Sequence, residues 1–258
     1  MRDSPSSPIP ATPTRHIELS GCCNFRDLGG YPTRDGRRTA WQRVFRADGL
    51  TDLTEDDLVV LEGIGIATVI DLRTDLETET RGRFPEHVDH IAYHHLPLTD
   101  TLPGEEQAPQ WHDPGFVAER YRTMVTDGAA ALSRAVEILA DAANLPAVFH
   151  CSVGKDRTGV LAAVVLGLLG VADESIAQDY ALSGEAMVRV LERLEREYPD
   201  ADEIIDRYRP VILSADPASM LGLLDALRAE YGSFEAWAGR LGIEAAVARL
   251  RDVLLVPA

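Results

Sequence analysis

The sequence contains almost no lysine: 24 of its 25 basic residues are arginine, and Lys155 is the exception. Acidic residues outnumber basic ones by 42 to 25, so the formal net charge is −17. Nucleic acid and anionic lipid bind through lysine and arginine side chains that neutralise phosphates. The charge balance therefore argues against a nucleic-acid partner, although a local basic site can exist within the acidic surface.

Cysteine and long apolar runs are also scarce. The three cysteines, Cys22, Cys23 and Cys151, are odd in number and include an adjacent pair, which excludes a disulfide framework. A reducing compartment is the simplest explanation. The longest apolar run, over residues 159–172, has 14 residues and is too short to cross a bilayer. No secretory signal is visible, so we predict a cytoplasmic protein without stable membrane insertion, with export by another route left open.

The pattern of apolar residues predicts a disordered tail over residues 1–15 and one domain over residues 16–258. Short apolar runs alternate with helical patterns over residues 16–172, which is typical of an α/β body with a central, mainly parallel sheet flanked by helices. Residues 173–258 show no convincing strand and predict a helical appendage. The predicted strands cover residues 43–46, 66–71, 90–96 and 146–149, and the predicted helices cover residues 54–62, 116–125, 129–143, 158–169, 187–198, 216–231, 234–240 and 244–254.

The segment over residues 150–159 carries the chemistry: it reads His-Cys-Ser-Val-Gly-Lys-Asp-Arg-Thr-Gly, between a predicted strand and a predicted helix. A loop that turns into a helix N-terminus points several backbone N–H groups inward and cradles an anion. Gly154 permits the tight turn, and Arg157 presents a planar guanidinium to two phosphate oxygens. Cys151, at the floor of the loop, is surrounded by groups that favour the nucleophilic thiolate.

This arrangement predicts phosphoester hydrolysis in two steps, without a metal or a cofactor. Cys151 attacks phosphorus and expels an alcohol or phenol, and water then hydrolyses the cysteinyl-phosphate. The Thr158 hydroxyl can donate a hydrogen bond to the leaving sulfur. A free cysteine is more often a small buried hydrophobic residue, but the whole string favours a site. Four histidines between residues 87 and 95 do not predict a metal site, because His94 and His95 point to opposite faces of a strand.

The segment resembles the signature loop of the protein tyrosine phosphatase superfamily, and Gly-Lys-Asp-Arg-Thr-Gly over residues 154–159 is similar to its bacterial tyrosine/dual-specificity group. The resemblance implies a cysteine phosphatase fold whose helical region forms a lid. It also implies a phosphotyrosine protein as substrate, with phosphoserine or phosphothreonine proteins and phosphoinositides as alternatives. Further similar motifs are Asn-Phe-Arg-Asp-Leu-Gly-Gly (24–30), Phe-Arg-Ala (45–47), Asp-Leu-Arg (71–73), Asp-Tyr-Ala-Leu-Ser (179–183) and Tyr-Gly-Ser (231–233).

The predicted phosphate-binding residues lie between the cysteine and the arginine: Ser152, Val153, Gly154 and Lys155. The resemblance implies that the Lys155 ammonium contacts the substrate phosphate or a second acidic group. The alternative is a lysine exposed at the surface.

The general acid that protonates the leaving oxygen has two candidates of equal weight. Asp156 lies inside the loop, and Asp100 follows a predicted strand at the position where the resemblance places an acid. Asp113 lies in a Trp-His-Asp-Pro sequence, for which a helix N-cap is the alternative to an acid. Asp71 is expected to pair with a nearby arginine.

Two pairs of residues near the N-terminus have open roles. Arg26 and Asp27, in a glycine-flanked turn, either brace the loop or touch the substrate, and an ion pair within the turn is the alternative. Cys22 and Cys23 are expected to be packed thiols, with a redox partnership with Cys151 as the alternative.

Two other functions use a similar loop. A phospho-binding module would keep the anion cradle without turnover, and a rhodanese-like sulfurtransferase also uses a cysteine in an anion loop. Arg157 followed by Thr158 and Gly159 favours phosphate, and the candidate acids favour catalysis.

Overall fold

The structure is a computed structural model that describes residues 14–99, 110, 113–197 and 202–258. Of the predicted tail, only residues 14 and 15 lie within the described residues. No helix in these ranges is long and apolar enough to cross a membrane.

A central sheet of five strands occupies the middle of the molecule. It contains β1 (Arg26–Asp27), β3 (Val44–Ala47), β4 (Thr68–Asp71), β5 (Ala92–His95) and β6 (Ala147–His150). Their order is β1-β3-β6-β4-β5, and every neighbouring pair is parallel except β1 with β3. The predicted parallel sheet and its four predicted strands are confirmed.

A second, two-stranded sheet joins distant parts of the chain. Strand β2 (Arg37–Thr39) pairs antiparallel with β7 (Leu255–Pro257). The prediction that residues 173–258 contain no strand is therefore wrong. The three residues of β7 directly follow a helix, and their partner lies near the other end of the chain, so no local pattern marks them as a strand.

The predicted helices are all present, and most of their ends shift by a few residues. Three further helices, over Asp75–Arg81, Asp173–Ala181 and Asp202–Leu213, were not predicted because they are short or rich in charge. A 3₁₀ turn at Ala142–Asn144 replaces the end of the helix predicted over residues 129–143. Residue 198, predicted to be helical, lies outside the described residues. The helices are α1 (Glu55–Ile64), α2 (Asp75–Arg81), α3 (Pro114–Asp127), α4 (Ala129–Leu139), α5 (Asp156–Leu168), α6 (Asp173–Ala181), α7 (Ser183–Glu197), α8 (Asp202–Leu213), α9 (Pro217–Tyr231), α10 (Phe234–Leu241) and α11 (Glu244–Leu254).

Apolar side chains fill both faces of the central sheet, because successive residues of a strand point to opposite sides. Val148 of β6 packs on the α1 side, and its neighbour Phe149 packs on the other side with α3, α4 and α5. Helix α5 lies at the centre of this larger core, and its residues from Arg157 to Leu168 are all buried. The C-terminal helices contribute to the same core, so the appendage and the α/β body are packed together.

The contact between α5 and α10 generates a prediction. A Cβ added at Gly167 would lie 2.3 Å from the Phe234 ring, so Gly167→Ala should lower the free energy of unfolding by about 1–3 kcal/mol. Gly63→Ala is the matched control: it lies in α1 with no atom within 4 Å of the added Cβ, and should raise that free energy by about 0.5–1 kcal/mol. Urea denaturation measures both, and equal effects of the two substitutions would contradict this packing.

Candidate active site

Three parallel strands end side by side at one edge of the central sheet. Their last residues, Ala47 of β3, Asp71 of β4 and His150 of β6, are in register. Residues 151–155 leave this edge as a loop and enter α5. Ligands of parallel α/β sheets bind at this edge, so the fold places the predicted loop where such a site belongs.

Gly154 lets the loop pack directly against the end of β3. Its φ is +69°, in the left-handed region that favours glycine. A Cβ at this position would lie 2.6 Å from both the Ala47 carbonyl oxygen and the Asp48 nitrogen. Any side chain here would therefore push the loop away from the sheet.

The carbonyl groups of the loop are held by the surrounding structure. The Ser152 carbonyl accepts a hydrogen bond from the Gly49 N–H at 3.0 Å. The Asn24 side-chain amide donates to the carbonyls of Val153 and Gly154 at 3.2 and 3.1 Å. These bonds fix the orientation of three successive peptide units.

Arg46 completes this support from below the loop. Its Nη2 donates to the Gly154 carbonyl at 2.8 Å, and the side chain is fully buried. In a planar trans peptide the N–H points opposite to the carbonyl of the same unit. The N–H groups of Val153, Gly154 and Lys155 therefore point away from these supports and form a cradle of the kind that binds anions.

A buried carboxylate on α6 holds the supporting arginines. Asp179 accepts hydrogen bonds from Arg46 at 2.6 Å, from Arg26 at 3.3 Å and from the Tyr31 hydroxyl at 2.9 Å. Burial would raise the pKa of Asp179, but the charges of Arg26 and Arg46 outweigh it and lower that pKa to about 2. Arg26 also donates to Asn24, so it braces the loop through both Asn24 and Asp179.

Asp27 lies in a different environment from Arg26. Its carboxylate accepts hydrogen bonds from the N–H groups of Gly29 and Gln42, each at 2.7 Å, and so stabilises a turn. Adjacent residues of a strand point to opposite faces, so Asp27 faces away from the loop that Arg26 supports. The prediction that Asp27 braces the loop or touches the substrate does not match these partners. The alternative of an Arg26–Asp27 ion pair is also wrong, because Arg26 pairs with Asp179.

Cys22 and Cys23 are packed thiols in the segment that leads to Asn24. Both are buried, and the buried Asp48 carboxylate accepts hydrogen bonds from the Cys22 thiol and from the N–H groups of Cys23 and Asn24. Burial, and then the charge of Asp48, raises the pKa of the Cys22 thiol well above its usual value. The packed interpretation is confirmed, and Asp48 orders the segment that carries Asn24.

Glu77 fixes the guanidinium of Arg157, a contact that the sequence analysis missed. Arg157 donates from Nη1 to Oε2 at 2.5 Å and from Nη2 to Oε1 at 2.9 Å, and the Ser152 hydroxyl donates to the same carboxylate. Burial opposes ionisation of Glu77, but these hydrogen bonds from Arg157 outweigh it and lower the pKa of Glu77 to about 2. The sequence signal was the capping box that Thr74 and Glu77 form at the start of α2.

The nucleophile candidate lies at the floor of the loop. Cys151 is 1% exposed, and Arg157 in the first turn of α5 is 7% exposed. Burial would lower the pKa of the Arg157 guanidinium, but its hydrogen bonds with Glu77 and its electrostatic interactions with Cys151 and Asp156 outweigh it and raise that pKa. All three side chains therefore lie close to the guanidinium.

Lys155 is buried rather than exposed. Its ammonium donates to the Ser214 carbonyl at 2.9 Å and lies 3.8 Å from Asp156 Oδ1, and the residue is 3% exposed. The alternative of an exposed surface lysine is therefore wrong, because the connection between α8 and α9 covers the side chain. Asp156 is an acidic group beside Lys155, and a contact of Lys155 with the substrate stays a prediction.

Asp156 and Thr158 lie in the first turn of α5. The Asp156 side chain is 23% exposed, and its Oδ1 accepts a hydrogen bond of 2.5 Å from the Tyr121 hydroxyl. The Thr158 hydroxyl is buried and has no hydrogen-bond partner among the described residues. A buried hydroxyl without a partner is costly, so this position is typical of a functional group.

The other candidate acids are placed differently. Asp100 and residues 111–112 lie outside the described residues. Asp113 caps α3, where its side chain accepts a hydrogen bond from the Gly115 N–H at 2.8 Å, so the N-cap interpretation is confirmed.

Asp71 is structural, as expected. It pairs with Arg73 at 2.6 Å, accepts from the Tyr93 hydroxyl at 2.8 Å and lies 3.6 Å from His150. Burial would raise the pKa of Asp71, but His150 and Arg73 outweigh it and hold that pKa below its usual value. Within the described part of the chain, no group of three or more histidine, cysteine and acidic side chains is arranged to hold a metal ion.

A cleft of about 190 Å³ opens beside the loop and is lined by Ser152 and Val153. Three arginines, Arg73, Arg81 and Arg193, and the carboxylate of Asp52 also line it. Arg73 is paired with Asp71 and Arg193 with Asp48, so part of this positive charge is compensated.

The Arg157–Glu77 pair generates a pH prediction. The folded-state pKa of Glu77 is about 2 against an ordinary 4.5, so the stability it contributes is complete above pH 4.5 and is lost as the pH falls toward 2. Glu77→Gln should destabilise the protein near neutral pH because Arg157 keeps a buried charge without its counter-ion. The difference in the free energy of unfolding should shrink between pH 6 and pH 3. A difference independent of pH, measured by urea denaturation, would contradict this pairing.

Sequence comparisons place the chain in a known protein family. The tyrosine phosphatase family model matches residues 17–256. The chain is similar to the triple specificity protein phosphatase PtpB of Mycobacterium tuberculosis, with 28% identity over 92% of this chain and 98% of that protein. A tyrosine-protein phosphatase of Nostoc commune is 26% identical over 77% of this chain and 69% of its own length.

Among solved structures, the core catalytic domain of the PP-IP phosphatase SIW14 from S. cerevisiae matches with a TM-score of 0.35 and 16% identity, over 69% of this chain and 88% of that chain. The family match spans nearly the whole chain and includes the loop, its supports and the C-terminal helices. The chain belongs to the tyrosine phosphatase family.

Proposed function

We propose that this chain hydrolyses phosphotyrosine in proteins through a cysteinyl-phosphate intermediate. The observation that carries the proposal is a buried Cys151 at the start of a loop whose Ser152, Val153 and Gly154 carbonyls are hydrogen-bonded away from the site. The Arg157 guanidinium is fixed beside it by Glu77. The N–H cradle and the Arg157 guanidinium can bind the oxygens of a phosphate dianion, whose phosphorus would then lie above the Cys151 sulfur.

In the first step, the Cys151 thiolate forms a bond to phosphorus as the bond to the tyrosine oxygen breaks. The departing oxygen takes the proton of a neutral Asp156 carboxyl and leaves as a phenol. The three loop N–H groups and Arg157 bind the phosphoryl oxygens throughout. Because these groups are already oriented, they need not reorganise as charge moves in the transition state.

In the second step, water attacks phosphorus and the bond from phosphorus to sulfur breaks. The Asp156 carboxylate takes one proton from the water, which returns the acid to its starting state. The Thr158 hydroxyl donates a hydrogen bond to the departing sulfur, which leaves as thiolate. Inorganic phosphate is the second product.

Phosphotyrosine fits the depth of the site better than phosphoserine. Cys151 is 1% exposed, so the phosphorus must enter the loop well below the surface. A phosphate carried at the end of an aromatic ring reaches further from the peptide backbone than one carried on Cβ. The family and the names of the relatives agree with this class of substrate. Phosphoserine, phosphothreonine and phosphoinositides, which the resemblance of the sequence implies, stay as alternatives.

Asp156 is the favoured acid because it lies at the loop and is held by Tyr121. Asp100 remains the second candidate. Asp156→Asn and Asp100→Asn separate them, because only the acid variant should lose activity more strongly as the leaving phenol becomes more basic.

Cys151→Ser and Arg157→Lys test the proposed function. Cys151→Ser should abolish turnover of a phosphotyrosine peptide, and Arg157→Lys should lower kcat by about 100-fold or more because lysine cannot donate two parallel hydrogen bonds. The wild type is assayed in parallel with phosphotyrosine, phosphoserine and phosphoinositide substrates, with Cys151→Ser as the blank. Thiosulfate is added as a sulfurtransferase substrate. Phosphopeptide binding without turnover, or turnover of thiosulfate alone, would overturn the proposal.

Thr158→Val tests the second step with little risk to the fold. Valine keeps the shape of threonine and removes a buried hydroxyl that has no partner among the described residues, so stability should stay equal or rise. The kcat should fall by about tenfold, and cysteinyl-phosphate should accumulate, because sulfur leaves without a hydrogen bond. Rapid acid quenching with radiolabelled phosphopeptide measures the intermediate. A lower kcat with no accumulated intermediate would place Thr158 in the first step instead.

A further inference from the structure

A chain of hydrogen bonds runs from the loop into the core through two tyrosines. Tyr121 of α3 donates to Asp156 Oδ1 at 2.5 Å, and its oxygen lies 2.8 Å from the hydroxyl of Tyr180 of α6. The two rings meet edge to face with centroids 5.9 Å apart. Tyr121 is 0% exposed and Tyr180 is 2% exposed, so packing holds both hydroxyls in place.

The direction of donation along these hydrogen bonds is set at Tyr180, the buried end. Within the described residues, Tyr121 is the only hydrogen-bond partner of the Tyr180 hydroxyl, so Tyr180 donates its proton to the Tyr121 oxygen. The Tyr121 proton is then directed to Asp156. Burial, and then the charge of Asp156, raises the pKa of both phenols well above the usual value. Both tyrosines therefore stay protonated, and Tyr121 remains a donor to Asp156.

The two oxygens of Asp156 are not equivalent in this arrangement. Oδ1 accepts from Tyr121 and faces the Lys155 ammonium at 3.8 Å. An oxygen that faces a hydroxyl donor and an ammonium is a poor position for a proton. The carboxyl proton is therefore placed on Oδ2, the oxygen without these contacts.

We infer that Tyr121 is a positioning residue for acid catalysis: it holds Asp156 by Oδ1 so that Oδ2 delivers the proton to the leaving oxygen, and Tyr180 fixes the direction of the Tyr121 hydroxyl. The inference rests on the proposed function, in which Asp156 is the general acid. It assigns a role in the reaction to α3 and α6, two helices that carry none of the loop.

The benefit of this hydrogen bond is geometric. A carboxyl group on the first turn of a helix can rotate, and here a rotation would present either oxygen to the substrate or turn both toward Lys155 or Arg157. A misplacement of about 1 Å of a reacting group can cost about 100-fold in rate. Tyr121 removes this freedom without touching the substrate.

Leaving-group dependence tests the inference, because an acid matters most when the leaving oxygen is basic. The kcat/KM of Tyr121→Phe is measured for a series of aryl phosphates from 4-nitrophenyl to phenyl phosphate, because kcat/KM reports only the steps up to release of the phenol and leaves out hydrolysis of the cysteinyl-phosphate. For 4-nitrophenyl phosphate, whose leaving group needs little protonation, kcat/KM should change by no more than about twofold. For phenyl phosphate, kcat/KM should fall by about 10-fold to 100-fold.

Tyr93→Phe is the matched control. It also removes a hydrogen bond from a tyrosine hydroxyl to an aspartate, but its partner Asp71 is fully buried and is not the proposed acid. Its kcat/KM should show the leaving-group dependence of the wild type. Tyr180→Phe should give an intermediate loss for phenyl phosphate, because Tyr121 keeps its proton but loses its fixed direction. A thermal unfolding curve of each variant confirms that the fold is retained.

Asp156→Asn, alone and combined with Tyr121→Phe, separates failure of this inference from failure of the proposed acid. The double variant should be no slower on phenyl phosphate than Asp156→Asn, because Tyr121 acts only through Asp156. A uniform loss over the series in Tyr121→Phe, or additive losses in the double variant, overturns the role of Tyr121. If Asp156→Asn itself shows the leaving-group dependence of the wild type, the assignment of Asp156 as the acid fails, whatever Tyr121→Phe shows.

Discussion

Three loop carbonyls, those of Ser152, Val153 and Gly154, are hydrogen-bonded away from the site, and the chemistry of the loop depends on these bonds. The donors are the Gly49 N–H and the side chains of Asn24 and Arg46. Because each peptide unit is planar, holding a carbonyl outward aims the next N–H inward. If any of these carbonyls turned inward, it would repel a phosphate instead of binding it.

The supports of the loop are themselves held by buried charges. Asp179 pairs with Arg46 and Arg26, Asp48 orders the segment that carries Asn24, and Glu77 fixes Arg157. Removing one partner of such a buried pair leaves an uncompensated charge and typically costs about 3–5 kcal/mol. The arrangement is therefore strongly coupled, and a rigid loop is the result. Rigidity is what a site needs when its catalysis comes mainly from positioned dipoles and charges.

The sequence predicted the parts of this site that are contiguous in the chain. The cysteine, the glycine and the arginine of the loop lie within seven residues between a strand and a helix, so their spacing alone implied an anion cradle. Strands β3, β4 and β6 were predicted for the same reason, because each is a short local run of apolar residues. The position of Lys155 in the loop was predicted, but its burial was not. The Ser214 carbonyl that accepts its hydrogen bond lies in a connection that is distant in the sequence.

The missed features depend on residues far apart in the chain. Asp179, Tyr121 and Glu77 lie on helices far from the loop in the sequence. Asp179 belongs to a motif that the resemblance marks and Glu77 to a capping box, but neither signal indicates a contact with the loop. Only the packing of α2, α3 and α6 around the loop brings them to it. Strand β7 was missed for the same reason, since its pairing with β2 joins the two ends of the described chain.

A crystal structure of the protein with vanadate or tungstate tests the central claim most directly. We expect the oxyanion above the Cys151 sulfur, with the N–H groups of Val153, Gly154 and Lys155 within about 3 Å of its oxygens. The outward hydrogen bonds to Gly49, Asn24 and Arg46 should be retained. An oxyanion held by side chains alone, with a loop carbonyl turned toward it, would contradict the account.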